Sequence, residues 1–430
     1  MSTEKILLKK RLGLGAATLA GVGVILGAGI YVLIGVAAGE AGNAVWLSFV
    51  FAATGACLTG FSYARLGRLR PKDAPEFQYV DMAYGRRLAF LAGWLVLWAA
   101  IISAAAVALG FAGYLFHLVG WPVLPSAIAL VVFSTLVVFL GIGESVVLAG
   151  VLTIIEAGGL IFIIGIGVPH IGQFNLLEMP MGITGVIGAS SLVFFAYLGF
   201  EGMANLSEEM RNPRRDLPRA IILALAISTF FYILVSISAV SVLGWENLSR
   251  SSAPLADVAA RVLGVRADLL LTFIALSSTA NTVLILLLSA SRAMWAMSCA
   301  GALPMTFCVI GENRRTPWIA VLLVGLFASL FAAVRNIESV ASFTNFATLL
   351  AFALVNASAV KIFSRDNTAG LRRILTGVVL PGAGVIVCLA LAVNTGWLAA
   401  LLGIALLLAG VLVYRVMSII SRREKIEGGE

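Results

Sequence analysis

The chain has 430 residues, 61% of them hydrophobic and 12% charged, with a mean hydropathy of +1.05. An average soluble domain carries about 25% charged residues, so there is too little polar surface here to wrap this apolar content in water. That excludes a soluble enzyme, a disordered chain and an ordinary nucleic-acid binder, and it marks a polytopic integral membrane protein.

A helical span needs about 20 apolar residues. The apolar runs are long and do not alternate, which argues for helices over a barrel. Twelve spans are expected, at 12–38, 44–66, 87–116, 123–141, 146–168, 183–206, 218–243, 268–297, 317–334, 338–361, 371–393 and 397–420. The third and eighth exceed the minimum and should tilt or protrude. The stretch from Leu12 is too long for a cleavable signal and has no evident cleavage site. The chain divides into a tail (1–11), a five-helix block (12–168), a second five-helix block (183–365), two further helices (371–420) and a closing tail (421–430).

The net charge of +8 follows from where the basic residues fall. With the N-terminus inside, 25 of the 29 lysines and arginines face the cytoplasm. They are Lys5, Lys9, Lys10 and Arg11; Arg65, Arg68, Arg70, Lys72, Arg86 and Arg87; Arg211, Arg214, Arg215 and Arg219; Arg292, Arg314 and Arg315; Lys361, Arg365, Arg372 and Arg373; and Arg415, Arg422, Arg423 and Lys425. Only Arg250, Arg261, Arg266 and Arg335 fall outside. This asymmetry puts both termini in the cytoplasm. The segment 244–267, amphipathic around Ala253–Leu263, reads as a short helix over the outer mouth, either a lid or a cover for span ends. Cys57, Cys299, Cys308 and Cys388 show no C-x-x-C spacing and read as packing residues, with no disulfide framework and no metal site.

Two spans are unlike plain lipid-facing helices. Span one carries glycines at 13, 15, 21, 23, 27, 29 and 35, and each costs about 1 kcal/mol against alanine in a helix interior. In span six, Gly199 and Gly202 flank Glu201 well inside the apolar run. Irregular backbone at membrane depth survives only inside protein or along a watery cavity. Spans one and six open two consecutive five-helix blocks and run in opposite directions, the pattern of a transporter's midplane site. An unwound segment exposes amides that favour a carboxylate and carbonyls that favour an ammonium or a cation. Glycines kept only for tight helix packing are the alternative.

GVILGAGIYV at 23–32, SFVFAATGACLTGFSYARLGRLRPK at 48–72, VDMAYGRRLAFLAGW at 80–94, FFAYLGFEGMANLSEEMRNPRRDLPRAI at 194–221 and SASRAMWAMSCAGALP at 289–304 carry a resemblance. Over nearly its whole length the chain resembles the amino acid–polyamine–organocation superfamily of secondary transporters. The resemblance implies an all-α fold of twelve transmembrane helices: a five-plus-five inverted repeat of LeuT type with helices one and six broken, plus two C-terminal helices. It also implies amino acid substrates. Gly27, Ala28 and Gly29 fall where such proteins bind the substrate carboxylate through backbone amides. Ile25 falls where a carbonyl faces the ammonium. Ala28 departs from relatives that carry a hydroxyl there. Phe195 matches an aromatic gate, and the carbonyls of Phe195 and Leu198 would meet the ammonium.

Glu201 stands where many relatives are acidic, and an intramembrane carboxylate is costly enough to suggest function. Glu156 aligns where some proton-coupled relatives carry a lysine in place of sodium. The sign is reversed here, so Glu156 is either a proton or cation carrier or a hydrogen-bonded structural acid. Ser277, Ser278 and Thr279 supply the hydroxyls that a sodium site would need. In SEEMRNPRRDLPRAI, Pro213 and Pro218 should end and start helices. Glu208 and Glu209 could pair with Arg211, Arg214 or Arg215, joined by Arg65 and Arg292, in an inner network.

The rival functions are weak. The only histidines, His117 and His170, fall at outer loop edges, no H-E-x-x-H occurs and no aspartate lies inside a span, Asp268 standing at the very edge of the eighth, so no enzyme is expected. No repeated pore loop suggests a channel. A sensor derived from a transporter would keep the same site, but the tails are short. The expected partners are an amino acid and the bilayer, with no nucleic acid, and no cofactor beyond a coupling proton or sodium ion. Neutral amino acids fit the apolar surroundings best. The sequence leaves proton symport, sodium symport and exchange open.

Overall fold

The computed structural model describes residues 13–69, 75–141, 146–311, 316–364 and 374–427. The 1–11 tail, Arg70, Lys72, Arg314, Arg315, Arg365, Arg372 and Arg373 lie outside the described residues, as do the side chains of Glu208, Glu209, Arg422, Arg423 and Lys425. Every regular element described is helical. In chain order these are α1 (Leu14–Ile25), α2 (Ala28–Ala41), α3 (Val45–Leu66), α4 (Pro75–Tyr84), α5 (Arg86–Val119), α6 (Val123–Phe139), α7 (Val146–Gly167), α8 (Gly182–Val193), α9 (Pro213–Arg250), α10 (Pro254–Leu263), α11 (Val265–Cys299), α12 (Trp318–Ala332), α13 (Ile337–Ser364), α14 (Leu380–Val393) and α15 (Trp397–Glu427). Among the described residues nine helical stretches are long and apolar enough to cross a membrane, and α1, α6 and α12 are shorter apolar helices.

Two long helices organise the bundle. α5 packs on α11, α13, α6, α12 and α4, while α9 packs on α1, α2, α3 and α7. Near the far end of α9, Gly244 takes a left-handed φ of 71° and kinks the helix. A Cβ there would come within 2.9 Å of the Phe174 ring. The amphipathic segment forms α10, and the end of α5 holds that end of the bundle. His117 of α5 pairs with Asp268 of α11 at 2.8 Å and lies 3.9 Å from Asp257 of α10.

α15 is peripheral. Gly403 and Gly410, two turns apart, let it lie against Phe346 and Trp94, whose atoms a Cβ would meet at 2.0 and 2.6 Å. Its opposite face exposes Leu401, Leu408 and Leu412, an i, i+7, i+11 stripe suited to lipid.

Two expectations are corrected. Cys299 and Cys308 form a disulfide with Cα atoms 5.1 Å apart. The chain doubles back at Gly301 (φ 69°), where the Ser298 hydroxyl bonds the Pro304 carbonyl, so nine residues of separation close to bonding distance. Cys57 and Cys388 are free. Pro218 does not start a helix: α9 begins at Pro213, and Pro218 lies inside it. Asn212 holds the first turn by accepting the Asp216 amide at 2.9 Å. The helix therefore starts earlier and loses one ladder bond at Pro218.

Candidate functional site

The first apolar segment is interrupted at Leu26 and Gly27. Gly27 precedes α2 with no capping side chain of its own, and the first-turn amides of any helix lack intrahelical partners. The Ala28 amide reaches the Thr282 hydroxyl of α11 at 3.3 Å, and Thr282 donates to the Ser278 carbonyl at 2.9 Å. A Cβ at Gly27 would approach that hydroxyl to 2.9 Å, so a small residue is what lets α2 begin there.

The second interruption follows α8. A 3₁₀ turn at Phe194–Tyr197 leads into extended Leu198, then Gly199 at φ 113°, then a 3₁₀ segment at Phe200–Glu209. Ending α8 at membrane depth orphans its last carbonyls, a cost relieved from outside the helix. Asn345 of α13 donates to the Ser191 and Leu192 carbonyls at 2.7 and 2.9 Å.

The two breaks interlock. A Cβ on Gly29 would sit 2.5 Å from the Ala196 Cα, and one on Gly199 would sit 2.5 Å from Val24 Cγ1. The Tyr232 hydroxyl of α9 lies between them, hydrogen-bonding the Ile25 carbonyl and, at 2.8 Å, the Ala196 carbonyl. One side chain therefore ties both unwound segments.

The site residues expected from sequence are divided among distinct settings. Ile25, Gly27, Ala28 and Gly29 line the first break. In this conformation the Ile25 carbonyl meets Tyr232. Phe195 is buried, 6% exposed, and its carbonyl accepts the amide of half-buried Leu198 at 3.2 Å. Glu156 of α7 is buried beside Ser278 of α11, and its main-chain carbonyl accepts the Tyr31 hydroxyl at 2.9 Å. Ser278 is therefore the hydroxyl of the α11 trio that lies beside an acid, without a hydrogen bond to it. Thr279 is buried but donates to its own helix at the Ala275 carbonyl, 2.6 Å away, and Ser277 is exposed. Consecutive helical residues point about 100° apart, so three in a row cannot share one site.

Glu201 belongs to another group. Its carboxyl accepts the Gly199 amide at 2.8 Å, capping the turn that follows the second break. It lies within electrostatic reach of Glu76, a buried carboxyl on α4 that accepts the Tyr63 hydroxyl at 2.8 Å. Tyr79, Phe200 and Phe352 surround the Tyr63 ring edge-on at 5.6–5.8 Å. Burial pushes the Glu76 carboxyl above its usual range, partly offset by its hydrogen bonds. The breaks thus have Glu156 to one side and a Glu201–Tyr63–Glu76 cluster to the other.

Sequence reasoning missed Tyr232, Asn345, Thr282 and Glu76. Asn345 had a signal, since an amide inside an apolar span needs a partner. Thr282 shares a helix face with Ser278 and Thr279. Tyr232 lies in an ordinary apolar run and gave none.

A family model described as amino acid permease matches residues 12–421. The chain belongs to the amino acid permease family. Its function is transport rather than catalysis. This permease is 28% identical to the branched-chain amino acid permease of Bacillus subtilis, over 96% of this chain and 93% of the relative. It is 31% identical to the methylthioribose transporter of the same organism, over 80% and 79%. It is 33% identical to human cationic amino acid transporter 4, over 84% of this chain and 60% of that one.

Proposed function

We propose that this permease is a secondary active transporter that carries neutral amino acids across the cell membrane by alternating access, coupled to proton uptake. The observation that carries this reading is the meeting of the two breaks. The start of α2 offers amides to a carboxylate, and the opposed ends of α1 and the Phe194–Tyr197 turn offer carbonyls to an ammonium. Tyr232 holds the Ile25 and Ala196 carbonyls in this conformation, and an arriving ammonium would compete with it. Phe195 closes over the ligand. The side chains around the breaks are Ile25, Ala28, Phe195 and Leu198, which suit a neutral, apolar substrate, and the branched-chain permease of Bacillus subtilis agrees with that choice.

In this reading α1 with α2 forms the first of twelve spans, both termini are cytoplasmic, and two inverted five-helix blocks rock against each other. Glu156 or Glu201 carries the proton. Glu201 already caps the Gly199 amide, so its protonation would loosen the turn that follows the break.

The test is uptake of a panel of labelled amino acids into proteoliposomes under a pH gradient, a sodium gradient, or internal unlabelled amino acid alone. Accumulation of neutral amino acids under the pH gradient, lost in Glu201→Gln or Glu156→Gln, is the expected result. Accumulation only with sodium would move coupling to the carbonyls of the first break and Ser278. Signal only with internal substrate would mean exchange. No uptake by folded protein would sink the amino acid substrate and favour a sensor.

A further inference from the structure

A groove of about 600 Å³ lies away from the breaks, where the last turns of α3 meet the start of α9 and the turn before α14. Its α3 wall uses Phe61, Ala64 and Arg65, neighbours on one face of the helix, and Arg68 stands in the turn just after it. The floor is apolar, with Phe61, Ile222 and Leu223 on it, and three arginines stand around it: Arg65, Arg68 and Arg219. Among the described residues that line it there is no acid. Arg65 is stacked 3.8 Å over the Phe363 ring, while Arg68 and Arg219 are exposed at the mouth. Ile222 and Leu223 are 38% and 43% exposed, so the groove opens sideways along an apolar helix face.

We propose that this groove binds one anionic phospholipid, its phosphate held by Arg65, Arg68 and Arg219 and an acyl chain laid along Phe61, Ile222 and Leu223. The argument is the pairing of charge with shape. Arginine matches phosphate with a fixed fork of donors, and basic pockets between helices at the cytoplasmic surface are suited to anionic head groups. A small soluble anion would leave the apolar floor and its sideways opening without an occupant. An amino acid would bring an ammonium toward three cations, with no carboxylate among the described lining residues to receive it. The proposal uses the orientation that puts these arginines at the cytoplasmic leaflet, but does not depend on substrate or coupling ion. A lipid held there would bridge the end of α3 to the start of α9, the helix that carries Tyr232.

The test is native mass spectrometry of the full-length protein, titrated in separate arms with phosphatidylglycerol, phosphatidylcholine of the same chains, and inorganic phosphate. One phosphatidylglycerol should be retained in preference to phosphatidylcholine. Removing two arginines in Arg68→Gln/Arg219→Gln should weaken that retention about 30-fold, taking about 1 kcal/mol for each cation near an anionic lipid. Leu223→Trp, which fills the floor and keeps every charge, should also lower it. Arg335→Gln, at the opposite end, should not. Equal retention of the two lipids, or unchanged retention in both the double variant and Leu223→Trp, would overturn the proposal. So would displacement of phosphatidylglycerol by inorganic phosphate, which would make the groove a site for a small anion.

Discussion

At the residue scale, the breaks depend on atoms that are missing as much as on those present. Gly29 approaches the Ala196 backbone so closely that a methyl would sit 2.5 Å from its Cα, and backbone cannot swing aside as a flexible side chain can. Gly29→Ala should therefore cost about 1–3 kcal/mol of overpacking and abolish uptake. Gly15→Ala is the matched control: nothing lies within 4 Å of its Cβ, and it should be neutral or up to about 1 kcal/mol stabilising. Thermal unfolding of the two variants in one detergent separates these outcomes, and equal losses would refute the close-approach argument. Tyr232→Phe removes the hydroxyl between two buried carbonyls, and leaving a buried acceptor unpaired costs about 1–3 kcal/mol. A lowered melting temperature with reduced transport is expected. Wild-type behaviour would mean that the hydroxyl does not join the breaks. Gly29 was legible because a glycine in an apolar helix asks for a reason. Tyr232 was not, because its partners lie about 200 and 36 positions away in sequence and only the packing of α9 brings them together.

At the element scale, α4 shows what hydropathy cannot reveal. It is ten residues long, too short and polar to count as a span, and nothing in its sequence says that Glu76 and Tyr79 are buried. Its consequence is a pH dependence. A carboxyl held above its usual range binds its proton more tightly folded than unfolded. The stability linked to Glu76 should therefore fall as pH rises from the ordinary carboxylate range through the raised native value, and stay level beyond it. Glu76→Gln keeps an acceptor for Tyr63 and removes the titration. The gap in melting temperature between variant and parent should shift in the variant's favour as pH rises through that window. A gap that is constant with pH would show that Glu76 does not titrate there. The long apolar helices were legible for the opposite reason: α5, α7 and α13 lie within a few residues of their expected bounds because a continuous apolar run has few other ways to satisfy its backbone in lipid. Their exact ends depended on local chemistry that hydropathy ignores. α9 starts five residues before the expected span because Pro213, with its fixed φ, suits the first helical position, and it runs past Gly244 to Arg250.

At the scale of the whole molecule, orientation rests on 25 basic residues against four, and the helices make that claim testable. α5 has 34 residues, about 51 Å at 1.5 Å per residue, so its two ends must lie on opposite sides of a hydrocarbon core about 30 Å thick. Arg87, in its first turn, belongs to the basic set, and the neighbouring Arg86 hydrogen-bonds the Ala300 carbonyl just past the end of α11. The start of α5 and the end of α11 therefore share one face of the bundle. Trp121, just beyond the other end of α5, is 63% exposed. Cysteines placed at these two positions in a Cys57→Ser/Cys299→Ser/Cys308→Ser background report the two faces separately, since Cys388 is fully buried. A membrane-impermeant maleimide added to intact cells should label Trp121→Cys at once and Arg87→Cys only after permeabilisation. The reverse pattern would invert the topology and place the groove of Arg65, Arg68 and Arg219 in the outer leaflet. Labelling of both in intact cells would mean dual insertion, which so one-sided a charge distribution argues against.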